Sequence, residues 1–381
     1  MHVVIVGAGT FGASLAWTLA RRGEQVTLVD QFEPGDRRAT SGGESRLIRC
    51  SHGSDPHYTA TARRARTLWR ELEAETGEEL MLEIGMAWFA EREDGWEAES
   101  ERTMDAQGIP SERLGVTEAA RLFPSLGTAD LAFVLYEPEA GVVRAQRAVQ
   151  ALARQAVAHG ARLVRGRAVP DGDAVLVGSA EDRAVSFERR LEGDAVVWAC
   201  GPWLGRLFPD EVRLAVTCQE LLFFDGGPDW RSPGVPGWVD YDRAMYGTGD
   251  LDGLGVKAAL DEEGPPLDPD AALPAAGATE ARVRAYLADR FPTLAGAPLR
   301  EGRCCRYELS PDSHFVAARH SRLERTWLLG GGSGHGFKHG PAIAELMAAT
   351  LAGGAPMPER FALGDRAPGR SLRTAGSGVR S

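Results

Sequence analysis

His2-Val3-Val4-Ile5-Val6-Gly7-Ala8-Gly9-Thr10-Phe11-Gly12 stands at the start of the chain, and Val26-Thr27-Leu28-Val29-Asp30 follows after a single amphipathic run. The β-branched residues read as a buried strand, Gly7, Gly9 and Gly12 take the spacing G-x-G-x-x-G, and Ala13 to Arg22 reads as a helix. Gly7 permits the tight turn, Gly9 lets backbone approach a pyrophosphate, and Gly12 lets the helix pack closely on the strand. The pyrophosphate would then sit on unpaired N–H groups at the helix N-terminus, while Asp30, ending the second strand, bonds a ribose hydroxyl. The pattern predicts a Rossmann-like unit that binds an ADP-containing dinucleotide. The competing reading is a merely structural turn, and the flanking strands with an acid at the expected distance argue against it.

The rest of the composition bounds this reading. With 381 residues, 43% hydrophobic and 25% charged, the chain can bury a large core and should form about two domains. A formal charge of −11 disfavours nucleic acid and anionic membrane surfaces, because phosphate binding needs a basic field. No apolar run reaches the length of a membrane span, and the first apolar segment is consumed by the glycine motif, so no signal peptide is read. Cys50, Cys200, Cys218, Cys304 and Cys305 are odd in number, scattered and without metal-ligand spacing, which fits a reducing cytoplasm and no metal.

Along the chain, Gln31 to Glu44 forms a long polar loop suited to entering a cofactor site, and Arg46 and Arg49 lie three apart, on one face if helical. The bland reading of that pair is a solvated basic face. Tyr58 to Thr76 has the period of a core helix, residues 80–90 look like two short strands broken at Gly85, and Trp96 to Ala106 looks like an exposed helix. A helix over Val143 to Gly160, with Val149, Leu152, Ala153 and Val157 on one face, leads to a strand at 161–164. Paired strands at 174–177 and 184–187 precede a buried strand at 194–199 that runs into Gly201, Pro202 and Trp203. The region 213–300 changes to short β-like runs rich in Pro and Gly, with one helix near 278–289. A strand then ends in the glycine-rich turn 330–336 before a helix over 341–351, and the tail 364–381 reads as disordered.

Several segments taken in order carry a resemblance over nearly the whole chain: the N-terminal fingerprint, Glu44-Ser45-Arg46-Leu47-Ile48-Arg49, Tyr246 with Lys257, Cys305-Arg306-Tyr307, Asp312-Ser313-His314-Phe315 and Gly334-His335-Gly336-Phe337-Lys338. The sequence resembles the D-amino-acid-oxidase superfamily of flavoproteins, and within it the monomeric sarcosine oxidase and N-methyltryptophan oxidase group, including cyclic imino acid oxidases of antibiotic pathways. The resemblance implies an α/β (α+β overall) fold: a discontinuous FAD-binding domain over 1–80, 141–212 and 301–363, and an inserted mixed or antiparallel sheet, the substrate domain, over 81–140 and 213–300. It implies FAD bound by Gly7, Gly9, Thr10, Phe11, Gly12, Asp30, Ser41, Gly42, Ser45, Arg46, Val169, Gly201, Trp203, Cys305, Gly334, Gly336, Phe337 and Lys338. The group often has histidines where this chain has Ser41 and Gly42, and sarcosine oxidase has a histidine near the substrate where this chain has Asp261.

By the same resemblance Cys305 is the residue joined to the flavin, with Cys304 as the alternative and Arg303 and Arg306 as cations that promote its thiolate. Lys257, in an apolar, glycine-flanked strand, is either an edge-strand solvator or a cation that stabilises charge as oxygen is reduced. Arg49 and Lys338 resemble the family's carboxylate clamp, and Tyr246, Tyr307, His335 and Asp261 would line the pocket, their bland reading being core side chains with one satisfied polar end. The implied activity is oxidation of a secondary or cyclic amino acid to an imine, with oxygen reduced to hydrogen peroxide, by a monomer. The alternatives are a dehydrogenase using another electron acceptor and a flavin-binding subunit without turnover.

Overall fold

A computed structural model of the chain describes residues 1–179 and 187–369. Among these, the strands form four sheets. The central one has six strands in the order Val316–Arg319, Thr326–Gly330, Ala195–Trp198, His2–Val6, Gln25–Asp30 and Arg162–Arg165, parallel except for the antiparallel edge Val316–Arg319. Its strands are near-continuous apolar runs because both faces are covered: Thr10–Arg21, packed against Ala145–Ala158 and Gly340–Leu351, lies on Val3 and Ile5, and Val175 and Val177 of the three-stranded sheet Arg167–Asp171, Ala174–Gly178 and Phe187–Leu191 lie on Val4, Val6 and Val196. A doubly covered parallel sheet opens its ligand crevice at the C-terminal strand ends, and the glycine turn 7–9 lies there.

The second large sheet has eight strands in the order Leu299–Leu309, Ala215–Phe224, Val256–Leu260, Met245–Thr248, Gly237–Asp240, Met86–Ala90, Phe133–Glu137 and Glu112–Leu114. It is antiparallel apart from the parallel pairing of Gly237–Asp240 with Met86–Ala90. One face packs Trp230, Trp238, Phe89, Phe123 and Phe291 into an apolar core. The strand Leu299–Leu309 runs through residue 300, so this sheet draws on both sides of the expected domain boundary. A small sheet of Ser45–Ile48, Gly141–Arg144 and Met81–Glu83 lies at the other expected boundaries, near 80 and 140.

The helix Pro56–Thr76 shows how local chemistry sets an element. The Asp55 carboxylate accepts the N–H groups of His57 (3.0 Å) and Tyr58 (3.1 Å), Pro56 opens the first turn, and Gly77 ends the helix in the left-handed region at φ 68°.

Four expectations need correction. Arg46 and Arg49 belong to an extended segment, with Arg46 inside the strand Ser45–Ile48, so helical spacing does not relate them. The helix Trp96–Asp105 is not exposed: Trp96, Glu97, Ala98, Ser100 and Met104 are buried. Val157 is 45% exposed, because the helix Ala145–Ala158 turns its last residues past the core. Residues 364–369 are tied down rather than loose, since Arg366 donates to Asp312 and to the carbonyls of His314 and Phe315. The strand expected at 184–187 lies largely outside the described residues, as does the tail from 370, whereas Phe187–Leu191 pairs antiparallel with Ala174–Gly178.

Candidate active site

The glycine turn and six other segments line a cleft of about 1280 Å³, part of it open to solvent. Gly7, Gly9, Thr10, Phe11 and Asp30 line it together with Ser41, Val169, Gly201, Trp203, Gly334, Gly336 and Phe337. The fit to a dinucleotide can be tested on the backbone. Gly7 has φ +107°, and a Cβ there would lie 2.3 Å from the carbonyl oxygen of Ala199; a Cβ on Gly12 would lie 1.8 Å from that of Gly7. Gly12 therefore serves helix–strand packing and stands behind the wall. The helix Thr10–Arg21 has no capping side chain and no acidic residue in its first turn, which leaves its first N–H groups and positive dipole end for an anion. Asp30 accepts the N–H groups of Ala8 (2.6 Å) and Phe32 (2.7 Å), so it is fixed at the cleft wall with lone pairs to spare, and burial pushes its pKa up. These features fit an adenine dinucleotide such as FAD.

A second pocket continues from the first, sharing Arg46, Tyr307, Gly334 and Phe337 as walls. Into it come Arg49, Lys338, Lys257, Asp261, Tyr246, Tyr307 and His335, so every residue expected to act on substrate or oxygen lines one space. The eight-stranded sheet explains part of this. In Val256–Leu260 the side chains alternate: Val256 and Ala258 face the Trp230 core, and Ala259 faces Cys305, Tyr307 and Tyr246. Lys257 shares the second face and is 3% exposed. Its ammonium donates to the Ser45 carbonyl at 3.3 Å and contacts the Ser45 hydroxyl at 3.5 Å, and burial, then Arg46, lowers its pKa to about 7. Ser45 is thus a support for Lys257 behind the wall. Gly42 also stands behind it, in a turn on Ala39 where a Cβ would strike the Asp36 carbonyl.

Arg49 is 7% exposed, donates to the Ser51 carbonyl and lies over the Trp88 ring at 4.8 Å. Burial lowers its pKa to about 10, against the nearby charges of Glu137 and Asp261. Lys338 is 3% exposed, stands in the turn Phe337–His339 and donates to the His335 carbonyl at 2.9 Å. Burial, reinforced by Arg49, holds its pKa well below the usual lysine range. Lys338 lines the second pocket rather than the dinucleotide cleft. Tyr246 and Tyr307 hydrogen-bond through their side chains, and burial raises the Tyr246 pKa far above its ordinary value.

Cys305 lies on the same strand face as Tyr307, 8% exposed, and Arg46 Nη2 approaches its Sγ at 3.4 Å. Arg46, not Arg303, is the cation in contact, since Arg303 is paired with Glu44. Cys304 faces the opposite way towards Cys218, and burial pushes its thiol up to about 12.

Sequence reasoning missed Glu308, Glu137 and the two histidines, His52 and His339, that stand beside His335. Glu308 lines the cleft and accepts the Thr40 hydroxyl (2.8 Å) and the Gly332 N–H (3.3 Å). Glu137, 2% exposed, sits beside Arg49; its signal was an acid closing the apolar strand Phe133–Glu137. His52, His335 and His339 are buried with their ring nitrogens within 4.8 Å of one another. The His52 and His339 Nε2 atoms already meet at 3.3 Å, and the positive charges of Arg49 and Lys338 bear on both rings, which opposes a divalent cation there.

Residues 2–350 match the family described as FAD dependent oxidoreductase, DAO. The monomeric sarcosine oxidase of Streptomyces avermitilis is 30% identical over 361 residues, covering 91% of this chain and 92% of that protein. The N-methyl-L-tryptophan oxidase of Yersinia pestis is 25% identical over 366 residues, 93% and 96% of the two chains. The solved structure of L-proline dehydrogenase from P. horikoshii is similar with a TM-score of 0.80 at 19% identity, over 94% of this chain and 96% of that one. A match that runs from the first strand into the helix Gly340–Leu351 takes in the glycine turn, the cleft and the second pocket, and the chain belongs to the DAO family of FAD dependent oxidoreductases.

Proposed function

We propose that the protein oxidises the carbon–nitrogen bond of a secondary or cyclic amine bearing a carboxylate, to give an imine, and passes the electrons to dioxygen to give hydrogen peroxide. The observation that carries this reading is the convergence of two buried cations, Arg49 and Lys338, in a pocket that shares walls with the dinucleotide cleft. Two such cations without an anionic guest are costly, and a substrate carboxylate relieves that cost. FAD bound in the cleft supplies the electron acceptance and the reaction with oxygen.

The chain's own residues do the rest. Arg49 offers a planar fork and Lys338 a point charge to the carboxylate, which orients the substrate. Asp261 lies at the amine end, where it favours a larger or ring-shaped polar substrate over sarcosine. Tyr246, Tyr307 and His335 shape the walls. Lys257, held by Ser45, places positive charge where negative charge develops as oxygen is reduced. Cys305 is the residue joined covalently to the cofactor, with Arg46 in contact with its sulfur. Residues 1–80, 141–212 and 301–363 hold the dinucleotide, and 81–140 with 213–300 cover the substrate.

Free cysteines and the acidic surface support a monomer in the cytoplasm, and the Streptomyces avermitilis relative is itself called monomeric. Among the described residues no helix is long and apolar enough to cross a membrane.

The test is anaerobic bleaching of the flavin by sarcosine, L-proline and L-pipecolate, each against dimethylamine, pyrrolidine or piperidine. The amino acids should bleach it and the bare amines should not; air should then yield one peroxide per turnover. Equal bleaching by both members of a pair removes the clamp, and bleaching without peroxide favours a dehydrogenase.

A further inference from the structure

Glu137 ends the strand Phe133–Glu137 in the eight-stranded sheet and is buried. Several donors converge on its carboxylate: the Cys50 N–H at 2.7 Å, the Ser51 N–H at 3.3 Å, the Trp88 indole N–H at 2.9 Å, and the Ser51 hydroxyl. All of them belong to the surroundings of Arg49. Cys50 and Ser51 follow it in the chain, the Ser51 carbonyl accepts its Nη1, and the Trp88 ring lies under its guanidinium.

The strand Ser45–Ile48 has ended just before this point, so no ladder fixes the backbone at 49–51. Glu137 takes over that task from the other sheet. A carboxylate is the side chain suited to it, because it accepts at every lone pair and offers no donor to clash with four N–H or O–H groups. It also adds a negative charge next to a guanidinium that must share its pocket with Lys338.

We infer that Glu137 is a positioning residue: it sets the pose and the charge balance of Arg49, and through Arg49 it sets the preference for a carboxylate-bearing substrate. This rests on the clamp reading above. Glu137→Gln would turn a donor towards the Cys50 or Ser51 N–H and remove the counter-charge, so Arg49 would shift by a fraction of its length while the core stays filled.

The experiment uses the flavin-loaded protein and tetrahydrofuran-2-carboxylate, a ring carboxylate with no amine to oxidise, against tetrahydrofurfuryl alcohol. Calorimetry gives their dissociation constants. E137Q should weaken the carboxylate by a factor on the order of 10 to 100, the scale of losing an oriented contact, and leave the alcohol unchanged. E137D, which keeps the charge, should recover part of the loss, and W88F, which keeps a ring under Arg49 but drops one bond to Glu137, should show a smaller loss of the same sign. In turnover with the amino acid, E137Q should raise KM by more than it lowers kcat. Equal weakening of carboxylate and alcohol, or none, reduces Glu137 to a clasp between sheets and overturns the inference. If E137Q does not fold, the same ratio read in E137D and W88F decides. Wild-type protein that binds carboxylate and alcohol alike would instead remove the clamp reading itself, before Glu137 is at issue.

Discussion

Lys338→Met removes one of the two cations proposed to meet the substrate and keeps an unbranched apolar side chain in its place. Breaking one side of a buried charge pair costs about 2–5 kcal/mol in binding. The structure puts this case at the lower end, because Asp261 and Glu137 already bear on Lys338 and offset part of its charge before substrate arrives. About 2 kcal/mol is roughly a thirtyfold weaker dissociation constant for tetrahydrofuran-2-carboxylate. Proton linkage supplies a second, sharper signature. In the empty pocket burial and Arg49 hold the Lys338 pKa well below 10.5, and a bound carboxylate raises it again. Between those two values the lysine is neutral when free and charged when bound, so binding takes up a proton and affinity falls as pH rises, by at most about tenfold per pH unit. Below the free-state value the lysine is charged in both states and the dependence vanishes. Arg49, at about 10, stays charged through the neutral range and does not contribute there. Calorimetric titration in two buffers of different ionisation heat counts the protons directly. The wild type should take up a fraction of a proton in the window and Lys338→Met none. An unchanged affinity in the variant, or the same proton uptake in both proteins, would refute the argument.

The other expectations are simpler. Cys305→Ser should release all flavin to the supernatant on acid precipitation and Cys304→Ser should retain it in the pellet, because only Cys305 stands on the face that meets Arg46; the opposite result would move the link by one residue. Lys257→Met should slow the reaction with oxygen on the order of 100- to 1000-fold, as for one lost preorganised charge, while anaerobic reduction by substrate stays near wild type; rapid mixing separates the two, and equal losses would make Lys257 structural. Arg290→Met should cost about 3–5 kcal/mol of stability, because it removes the guanidinium 3.2 Å from the fully buried Asp240 and leaves its carboxylate with the Arg243 N–H as donor. Denaturant unfolding measures it, and Asp240→Asn in the same background should recover part; a variant as stable as wild type would show that Asp240 finds another donor.

Much of the dinucleotide half was legible because its signals are local. A strand, a turn that only glycine can make and a helix without a cap are written within a dozen residues, and the geometry at Gly7, Gly9, Gly12 and Asp30 follows from them. The helix Pro56–Thr76 was legible for the same reason, through Asp55, Pro56 and Gly77. What failed were inferences that needed the partner surface. Trp96–Asp105 has the charged composition of a solvent helix, yet Trp96 stacks on Tyr241 at 4.4 Å, a residue far away in sequence. Arg366 lies in a stretch of tail composition and is held by carbonyls of the 312–315 turn, which no local pattern announces.

The second pocket separates the two kinds of information most clearly. Arg46 and Arg49 do meet there, but not through the helical spacing that first linked them. Residues three apart on a strand point to opposite faces. They reach one space only because the strand stops at Ile48 and the chain turns, and the turn is held by a carboxylate from the other sheet, almost ninety residues on. The spacing of the two arginines therefore carried no structural information by itself; the resemblance did, and the physical cause sits in Glu137, which no motif marked. The alternation along Leu299–Leu309 works the other way. There a period of two, readable in the sequence once the segment is known to be a strand, sends Cys305 and Tyr307 to the pocket face and Cys304 to Cys218. A substitution that shifts this register by one residue would exchange the two thiols and turn Tyr307 away from Tyr246 at once. On the proposed roles of these residues, such a variant would present Cys304 in place of Cys305 to the flavin and weaken substrate binding together, even though neither Cys305 nor Tyr307 is changed.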